Sequence, residues 1–380
     1  MDFTLSEEQQ MLQDTVVRLV RDSYSFEQRE QFYRSAPGFS SELWQQFGEL
    51  GLCSVPIAEA DGGFGGSGVD NLLIMTELGR NLCLEPFLHS QIHAAGLLQH
   101  LGNADQRARW LPRVAAGELQ LAVALEERQS HYHVHDVQSH AVAVDGGWKL
   151  SGHKVAVIGG HSAGLILLSA RTAGGPLDEQ GIGVFLLDPA SAGVSRRDYP
   201  CIDGPRACDL RLDEVFVAAD QLLGEPGNAL PALRYQQGRA IAAQCAEALG
   251  GMQEAFRLTL DYLKTRQQFG APIGKFQALQ HRMADMRGEL ELATSMAILA
   301  ACVADQADSE ERSRRLAAAK FVVVRAARFI AEQAIQLHGG IGMTWEYSLA
   351  HHAKRLVMLS HQLGDDDHHL QAYAELLKSA

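Results

Sequence analysis

Arg266-Gln-Gln-Phe-Gly-Ala-Pro-Ile-Gly-Lys-Phe-Gln277 and Gln336-Leu-His-Gly-Gly-Ile-Gly-Met-Thr-Trp-Glu-Tyr347 each set charge, amide and glycine into otherwise apolar helical sequence. Packing alone favours none of these residue types there, so a polar ligand is expected at both. The first stretch follows a long helical run ending in Asp261-Tyr-Leu-Lys-Thr265. Arg266 offers a guanidinium suited to bidentate phosphate recognition, Phe269 a flat apolar face, and Gly270 with Pro272 a fixed break before the next helix. A cofactor with a pyrophosphate and an aromatic ring system would use all of them. From the bare residues alone, a helix-ending arginine capping carbonyls beside a core phenylalanine is the more ordinary reading. In the second stretch Gln336 stands at a helix end, followed by Gly339, Gly340 and Gly342. Clustered glycine amides suit a phosphate or a polarised carbonyl, and Gly339 also fits the left-handed residue of a helix C-cap.

Outward from these stretches the chain falls into three textures. Residues 4 to 50 carry helical periodicity: Thr4 or Ser6 can cap, Glu7 and Glu8 suit a first turn, and Met11, Leu12, Val16, Leu19 and Val20 recur at helical spacing. A helix ends near Gly51, Val55-Pro-Ile57 and Asp61-Gly-Gly-Phe-Gly-Gly66 break the period, and residues 68 to 118 resume it around Glu77-Leu-Gly-Arg80. From about residue 119 short apolar or alternating runs take over: Leu121-Ala-Val-Ala-Leu125, His140-Ala-Val-Ala-Val144, Trp148-Lys-Leu150, Val155-Ala-Val-Ile158, Leu165-Ile-Leu-Leu168 and Val184-Phe-Leu-Leu187. Turn signals such as Asp145-Gly-Gly147 separate them, which predicts a small antiparallel barrel or sandwich. Beyond residue 229 helix returns. The expectation is a multi-domain α+β chain: an all-helical domain over 1–118, a middle antiparallel β-barrel or sandwich over 119–228, and a C-terminal four-helix bundle over 229–380. That order by itself names no activity.

A chain of 380 residues exceeds the size at which one core usually keeps growing, which agrees with two or three domains. Its 46 acidic against 33 basic residues give a formal charge of −13, which argues against a general nucleic-acid or anionic-membrane surface but not against a few arginines gripping an anion. Cys53, Cys83, Cys201, Cys208, Cys245 and Cys302 are scattered without paired metal spacing, which fits reduced thiols in a cytoplasm. The opening Met-Asp-Phe-Thr-Leu-Ser-Glu-Glu carries acid where a signal peptide needs a basic flank, and no stretch is long and apolar enough to span a bilayer. A soluble, unexported, cytoplasmic protein is expected.

Taken in order, the Gly48-Glu-Leu-Gly-Leu52 stretch with Val55-Pro56 and Gly62-Gly63, the Glu77-Leu-Gly79 helix and the two opening stretches resemble the acyl-CoA dehydrogenase family over nearly the whole length. The helical, β, helical order is also that family's. The resemblance implies FAD, tetramers built as dimers of dimers, α,β-dehydrogenation of an acyl-CoA thioester, and an electron-transfer flavoprotein as electron acceptor. Carried over by position, Arg266, Gln268 and Phe269 meet the adenosine-diphosphate part with Gln277 nearby, while Gln336, Gly339 and Gly340 come from the other chain of the pair. The reaction needs a base that takes the Cα proton as the Cβ hydride passes to the flavin. Hydrogen bonds to the thioester carbonyl lower the cost of the developing enolate.

The chain departs from the family where that base belongs. The stretch that lines up with the usual Tyr-Glu-Gly-Thr is Gln362-Leu-Gly-Asp365, which puts Leu363 at the glutamate position. In a second group the base precedes an arginine on an earlier helix, and the matching pair here is Gly238-Arg239. The catalytic base is therefore unassigned. Leu125-Glu-Glu-Arg-Gln-Ser130 stands where typical members carry Thr-Glu-Pro and then Gly-Ser-Asp, and Val155-Ala-Val-Ile-Gly159 replaces Trp-Ile-Thr-Asn. Ala156 thus lacks the indole that packs on the flavin, and Ile158 the hydroxyl beside its N5. Three accounts stay open: an aspartate of Asp365, Asp366 and Asp367 acts from a shifted position, the chain is the base-lacking member of a two-chain enzyme, or it is a non-dehydrogenase relative. The Glu126-Glu-Arg-Gln129 and Gly364-Asp-Asp-Asp-His-His-Leu370 runs look most like the small subunits of two-chain members, such as pimeloyl-CoA dehydrogenase or those oxidising steroid side chains. That subgroup implies a heterotetramer with a homologous, base-bearing partner and leaves the acyl group open.

Other constellations carry less. His131, His133 and His135 would share one face of a strand, yet no acidic or cysteine pattern completes a metal site, and no metal is expected. The adjacent pairs His351-His352 and His368-His369 point apart on a helix and read as solvated surface. Trp345-Glu-Tyr347 reads as a lock on the turn after the glycines, and Arg239 as either a structural ion pair or a steadying charge at the site.

Overall fold

The computed structural model describes residues 4–378; Met1–Phe3 of the leader reading and the last two residues lie outside them. The first 115 residues build α1 (Glu7–Ser23), α2 (Phe26–Arg34), α3 (Ser41–Glu49), α4 (Gly68–Arg80), a π-helical turn (Leu88–Ala94) continuing into α5 (Ala95–Leu101), and α6 (Ala104–Ala115). Side-chain caps start them: Ser6 with Gln9, Ser25 with Gln28, Ser67 with Asp70 and Asn103 with Gln106 close reciprocal capping boxes. Val16 and Val20 of α1 are buried as their spacing requires and Leu12 packs on the same core, whereas Met11 is 62% exposed.

The middle region holds β1 (Leu121–Ala124), β2 (His140–Val144), β3 (Gly147–Ile158), β4 (Leu165–Arg171), β5 (Ile182–Leu187), β6 (Val194–Pro200), β7 (Arg206–Ala218) and β8 (Leu222–Leu223). They form one sheet in the order β6-β7-β3-β2-β4-β5-β8, with β1 added on β4. The sheet corrects one detail of the expectation. It is open rather than a closed barrel, and it is mixed, because β1 and β2 both meet β4 in parallel. β6 was not marked by the sequence runs, since its Val194-Ser-Arg-Arg-Asp-Tyr-Pro200 sequence is almost wholly polar and lies at the sheet edge.

The rest is α7 (Leu230–Thr265), a small hairpin of β9 (Gln267–Gln268) and β10 (Ala271–Pro272), then α8 (Gln277–Val303), α9 (Glu310–His338), α10 (Ser348–Leu359) and α11 (Asp366–Lys378). α7 to α10 pack around one core that includes Met252, Met286, Ala297, Val323, Ile330, Leu349 and Leu356, and α11 lies against α9 as a fifth helix. α7 also crosses α4 of the first region at very short range: a Cβ on Gly79 would collide with the Glu247 carbonyl, and one on Gly250 with that of Thr76. That crossing gives the Glu77-Leu-Gly79 stretch a packing reason. Among the described residues no helix is long and apolar enough to cross a membrane.

Candidate functional site

Arg266 ends α7. Its N–H donates to the Tyr262 carbonyl at 2.8 Å, and its own carbonyl accepts from the Ile273 N–H at 2.9 Å, which folds the hairpin back on the helix. Phe269 and Gly270 both take positive φ at the hairpin tip. Phe269 is 91% exposed, touching the edge of Phe276 with ring centroids 5.9 Å apart. Gln268 and Gln277 are exposed too, and Arg266 has no ion-pair partner among the described residues. The arginine does end the helix, but Phe269 is no core residue.

α9 ends at Gly339, with φ 65 and ψ −144, a conformation essentially reserved for glycine and distinct from the left-handed cap. Gln336, Gly339 and Gly340 are exposed, and nothing lies within 4 Å of where a Cβ on either glycine would sit. Tyr262 stacks on His338 at 4.4 Å and 23°, and His338 Nε2 is 3.3 Å from the Tyr347 hydroxyl. These contacts bring the two stretches to the same end of the helical bundle. Trp345 donates to Glu30 at 2.7 Å, so the Trp-Glu-Tyr turn is locked by packing.

A second feature is a cavity of about 390 Å³ between the middle sheet, the π-helical turn and α10 with the segment after it. Leu125, Val155, Ala156, Ile158, Met358 and Leu363 give it an aliphatic wall; His89, His93, Glu126, Tyr132 and Gln362 add polar groups. Leu363 thus lines the cavity, in a positive-φ conformation, as does Ala156. Burial holds His89 down to about 3 and His93 down to about 4, so both imidazoles are neutral, and burial pushes the Glu126 carboxyl up from its usual value.

The loop from Glu126 to Ser139 covers one side. Glu127 anchors it: its carboxylate takes the Lys154 ammonium at 2.7 Å and the backbone N–H groups of Gln138 and Ser139 at 2.9 and 3.1 Å. Burial opposes ionisation of Glu127, but the Lys154 charge and these hydrogen bonds outweigh it and hold the carboxyl at about 2. The histidine run therefore lies in a turn, with His131 and Tyr132 at positive φ, and not on a strand. His133 and Tyr132 reach His368 of α11, with ring centroids 5.5 and 5.6 Å apart. No group of three or more His, Cys, Asp or Glu among the described residues is placed to hold a metal.

A side chain at position 238 would need the buried Arg312 to shift: a Cβ would lie 2.9 Å from both its terminal nitrogens, and that guanidinium sits 4.1 Å over Tyr235. Arg239 pairs with Asp305 at 2.8 Å, its structural reading. Asp365 accepts the His368 N–H at 2.8 Å at the start of α11, and Asp366 and Asp367 fill that helix's first turn. None of the three lines the cavity. The paired histidines are not solvated: His351, His352 and His369 are each at most 4% exposed, because α10 and α11 turn these faces inward. His351 Nε2 lies 2.8 Å from the Trp345 carbonyl oxygen and His369 Nε2 2.8 Å from that of Leu363. Sequence reasoning passed over Lys154, His89 and His93, and took Glu127 only as part of a run. The two histidines stood in plain view, spaced by four in the apolar run Phe87-Leu-His-Ser-Gln-Ile-His-Ala94.

Three family models match the chain in order: "Acyl-CoA dehydrogenase, N-terminal domain" over residues 6–118, "middle domain" over 122–215 and "C-terminal domain" over 235–377. The acyl-CoA dehydrogenase FadE12 of Mycobacterium tuberculosis is 30% identical over 82% of this chain and 81% of its own length. A variant of the steroid ACAD Tcur3481-Tcur3483 superposes with a TM-score of 0.88 at 30% identity, covering 99% of both chains. The ChsE4-ChsE5 complex of Mycobacterium tuberculosis shares the fold, with a TM-score of 0.89 at 24% identity over the full length of both chains.

Proposed function

Because this chain belongs to the acyl-CoA dehydrogenase family, we propose that it is the subunit of a two-chain dehydrogenase that helps hold the cofactor while a homologous partner supplies the base. Members of the family are FAD-dependent oxidoreductases acting on the CH–CH bond of acyl-CoA. The observation that carries the division of labour is the cavity wall. It presents Leu363 where the resemblance calls for a carboxylate, and the other family position for the base is Gly238, which has no side chain and faces the Arg312 guanidinium. The two carboxylates that do line the cavity are engaged, Glu127 with Lys154 and Glu126 with the Ser130 hydroxyl at 3.1 Å. No comparable observation favours an aspartate of the 365–367 run. One relative at 30% identity is named as a pair and as a steroid ACAD, which supports a partnered enzyme of bulky acyl-CoA thioesters.

The donor set fits the nucleotide end of FAD. The unpaired Arg266 guanidinium suits the pyrophosphate, Gln268 and Gln277 offer amides, Phe269 a free aromatic face, and Gln336 with the open Gly339 and Gly340 backbone a second set of donors. Both sets lie at one end of the bundle, so two chains meeting end to end would clamp each nucleotide between Arg266 of one and Gln336 of the other. The isoalloxazine side has no such provision at Ala156 and Ile158, so this chain contributes binding rather than flavin tuning there. FAD, when bound, supplies the hydride acceptor for the reaction. Localisation in the cytoplasm and transfer of electrons to an electron-transfer flavoprotein belong to the same proposal.

The test is purification of the chain alone and together with a homologue encoded beside it, followed by acyl-CoA dehydrogenation with an artificial acceptor. Turnover is expected only from the pair; robust turnover by the single chain would sink the partner requirement. A silent scaffold that only completes the partner's pocket is the competing reading, and it predicts that Arg266→Ala leaves the FAD content of the pair untouched.

A further inference from the structure

The π-helical turn Leu88–Ala94 faces the cavity with two imidazoles. A π-helical turn is a rare, wide turn that recurs at functional sites. Here Ser90 ties it to the sheet by accepting the Leu121 N–H at 2.9 Å, so the turn is fixed relative to the cavity floor. His93 is 4% exposed, lines the cavity, and its Nε2 is buried with no hydrogen-bond partner. Buried polar atoms are nearly always satisfied, and a specific exception calls for an explanation such as a ligand. The rest of the lining sets the ligand's chemistry. It holds no lysine or arginine to pair with an anionic group, and Lys154 is already engaged by Glu127. Val123, Leu125, Val134, Val155, Ile158 and Met358 give it an apolar side beside the polar groups, which suits an apolar body carrying a polar function.

We propose that this cavity binds an aliphatic or alicyclic ligand through one neutral oxygen function, a ketone carbonyl or a hydroxyl, held by His93. A neutral imidazole carries one donor and one acceptor, so it serves either oxygen. Burial that keeps His89 and His93 uncharged agrees with a neutral partner. Tyr132, on the loop anchored by Glu127, stands at the wall toward α11 and bounds the ligand there. The oxygen function belongs either to a free ketone or alcohol or to the tail of an acyl-CoA. His93 is then the residue that sets which ligands this chain accepts. The cavity shares Ala156, Ile158 and Leu363 with the site of the proposed function, so the inference rests on and deepens that reading, while the binding itself requires neither turnover nor FAD.

The experiment measures binding of 2-octanone and octane to the full-length chain by headspace gas chromatography, with FAD content recorded separately. Wild type is expected to bind both. His93→Phe, which keeps an aromatic ring but removes the nitrogens, should weaken 2-octanone by about tenfold and leave octane unchanged or tighter. Infrared spectra of bound 2-octanone in the wild type, which need no variant, should show its carbonyl stretch lowered by a hydrogen bond; His93→Phe should abolish that shift. Competition by 7-oxo-octanoyl-CoA assigns the site to an acyl tail, and absence of competition assigns it to a free ketone or alcohol; both support the site. An unshifted carbonyl in the wild type, an unchanged 2-octanone affinity in His93→Phe, or no binding of either probe would overturn the proposal. These readouts can fail while the paired enzyme still turns over, and the reverse, so the two readings are judged apart.

Discussion

Replacing Lys154 with methionine should destabilise the middle sheet by about 3–5 kcal/mol, the usual consequence of breaking a buried ion pair from one side. The estimate follows from what is left behind. The Lys154 ammonium is fully buried and donates to Glu127 at 2.7 Å, to Ser169 Oγ at 3.0 Å and to the Leu125 carbonyl at 3.3 Å. Without it the Glu127 carboxylate, 3% exposed, keeps only uncharged donors, among them the Gln138 and Ser139 N–H groups and the Gln129 amide. Exchanging both partners, Glu127→Gln with Lys154→Met, removes the orphaned charge and should recover all but about 1–2 kcal/mol of the loss. The pH dependence carries a sign. The folded Glu127 carboxyl is held at about 2 against an ordinary 4.5, so its contribution is complete above 4.5 and is lost as pH falls through about 2. In Lys154→Met the carboxyl rises and takes up a proton on acidification, so the deficit relative to wild type should shrink between pH 7 and pH 4. Urea unfolding followed by tryptophan fluorescence reads this directly, because Trp148 lies on β3, the strand that carries Lys154. A loss below about 1 kcal/mol, or a deficit that does not change with pH, would refute the account of Glu127 as the anchor of the cavity loop.

Three more outcomes can be measured. Arg266→Ala should weaken FAD binding to the assembled enzyme by about 10- to 100-fold, the worth of a charge-assisted hydrogen bond, without changing its size on gel filtration; an unchanged flavin titration would remove Arg266 from the site. Asp365→Ala should cost about 1 kcal/mol in thermal unfolding by uncapping α11 and leave turnover of the pair intact, whereas a collapse of turnover would revive a base in the acidic run. Glu85 accepts the Ser40 N–H at 3.0 Å through one oxygen while its other oxygen is unpartnered, and burial raises it from 4.5 to about 7. A raised carboxyl favours the folded state in its protonated form, so stability is lost as pH rises from 4.5 through 7. Glu85→Gln should therefore be more stable than wild type at pH 8, by about 3 kcal/mol, and equal to it below pH 4.5; a variant less stable at pH 8 contradicts this.

Much of the fold could be read locally. Capping serines and the periodicity of Val16 and Val20 set helices, the Asp145-Gly146 turn set the β2–β3 hairpin, and Gly270 with Pro272 set the break after α7. The polar edge strand β6 was invisible to an apolar pattern, and the parallel pairing of β1 with β4 depends on partners distant in sequence. The histidine pairs misled for a related reason. His351 and His352 look like surface residues until α10 turns both inward, where Arg29 of α2 and the Trp345 carbonyl meet His351.

The same division runs through the site. Sequence alone pointed to the family, proposed Arg266 to Gln277 and Gln336 to Gly340 as nucleotide-end residues, and put Leu363 at the position where the resemblance expects a carboxylate, because these are matters of residue type in short contiguous runs. Only the tertiary structure decided that both runs share one end of the bundle through the Tyr262–His338 stack. It alone placed the Arg312 guanidinium where a side chain at position 238 would go, and it buried Lys154 against Glu127 to fix the loop over the cavity. It also left an imidazole on the π-helical turn without a partner. Burial and partnership are set by chain segments tens to hundreds of residues apart, and local residue patterns hold no record of them.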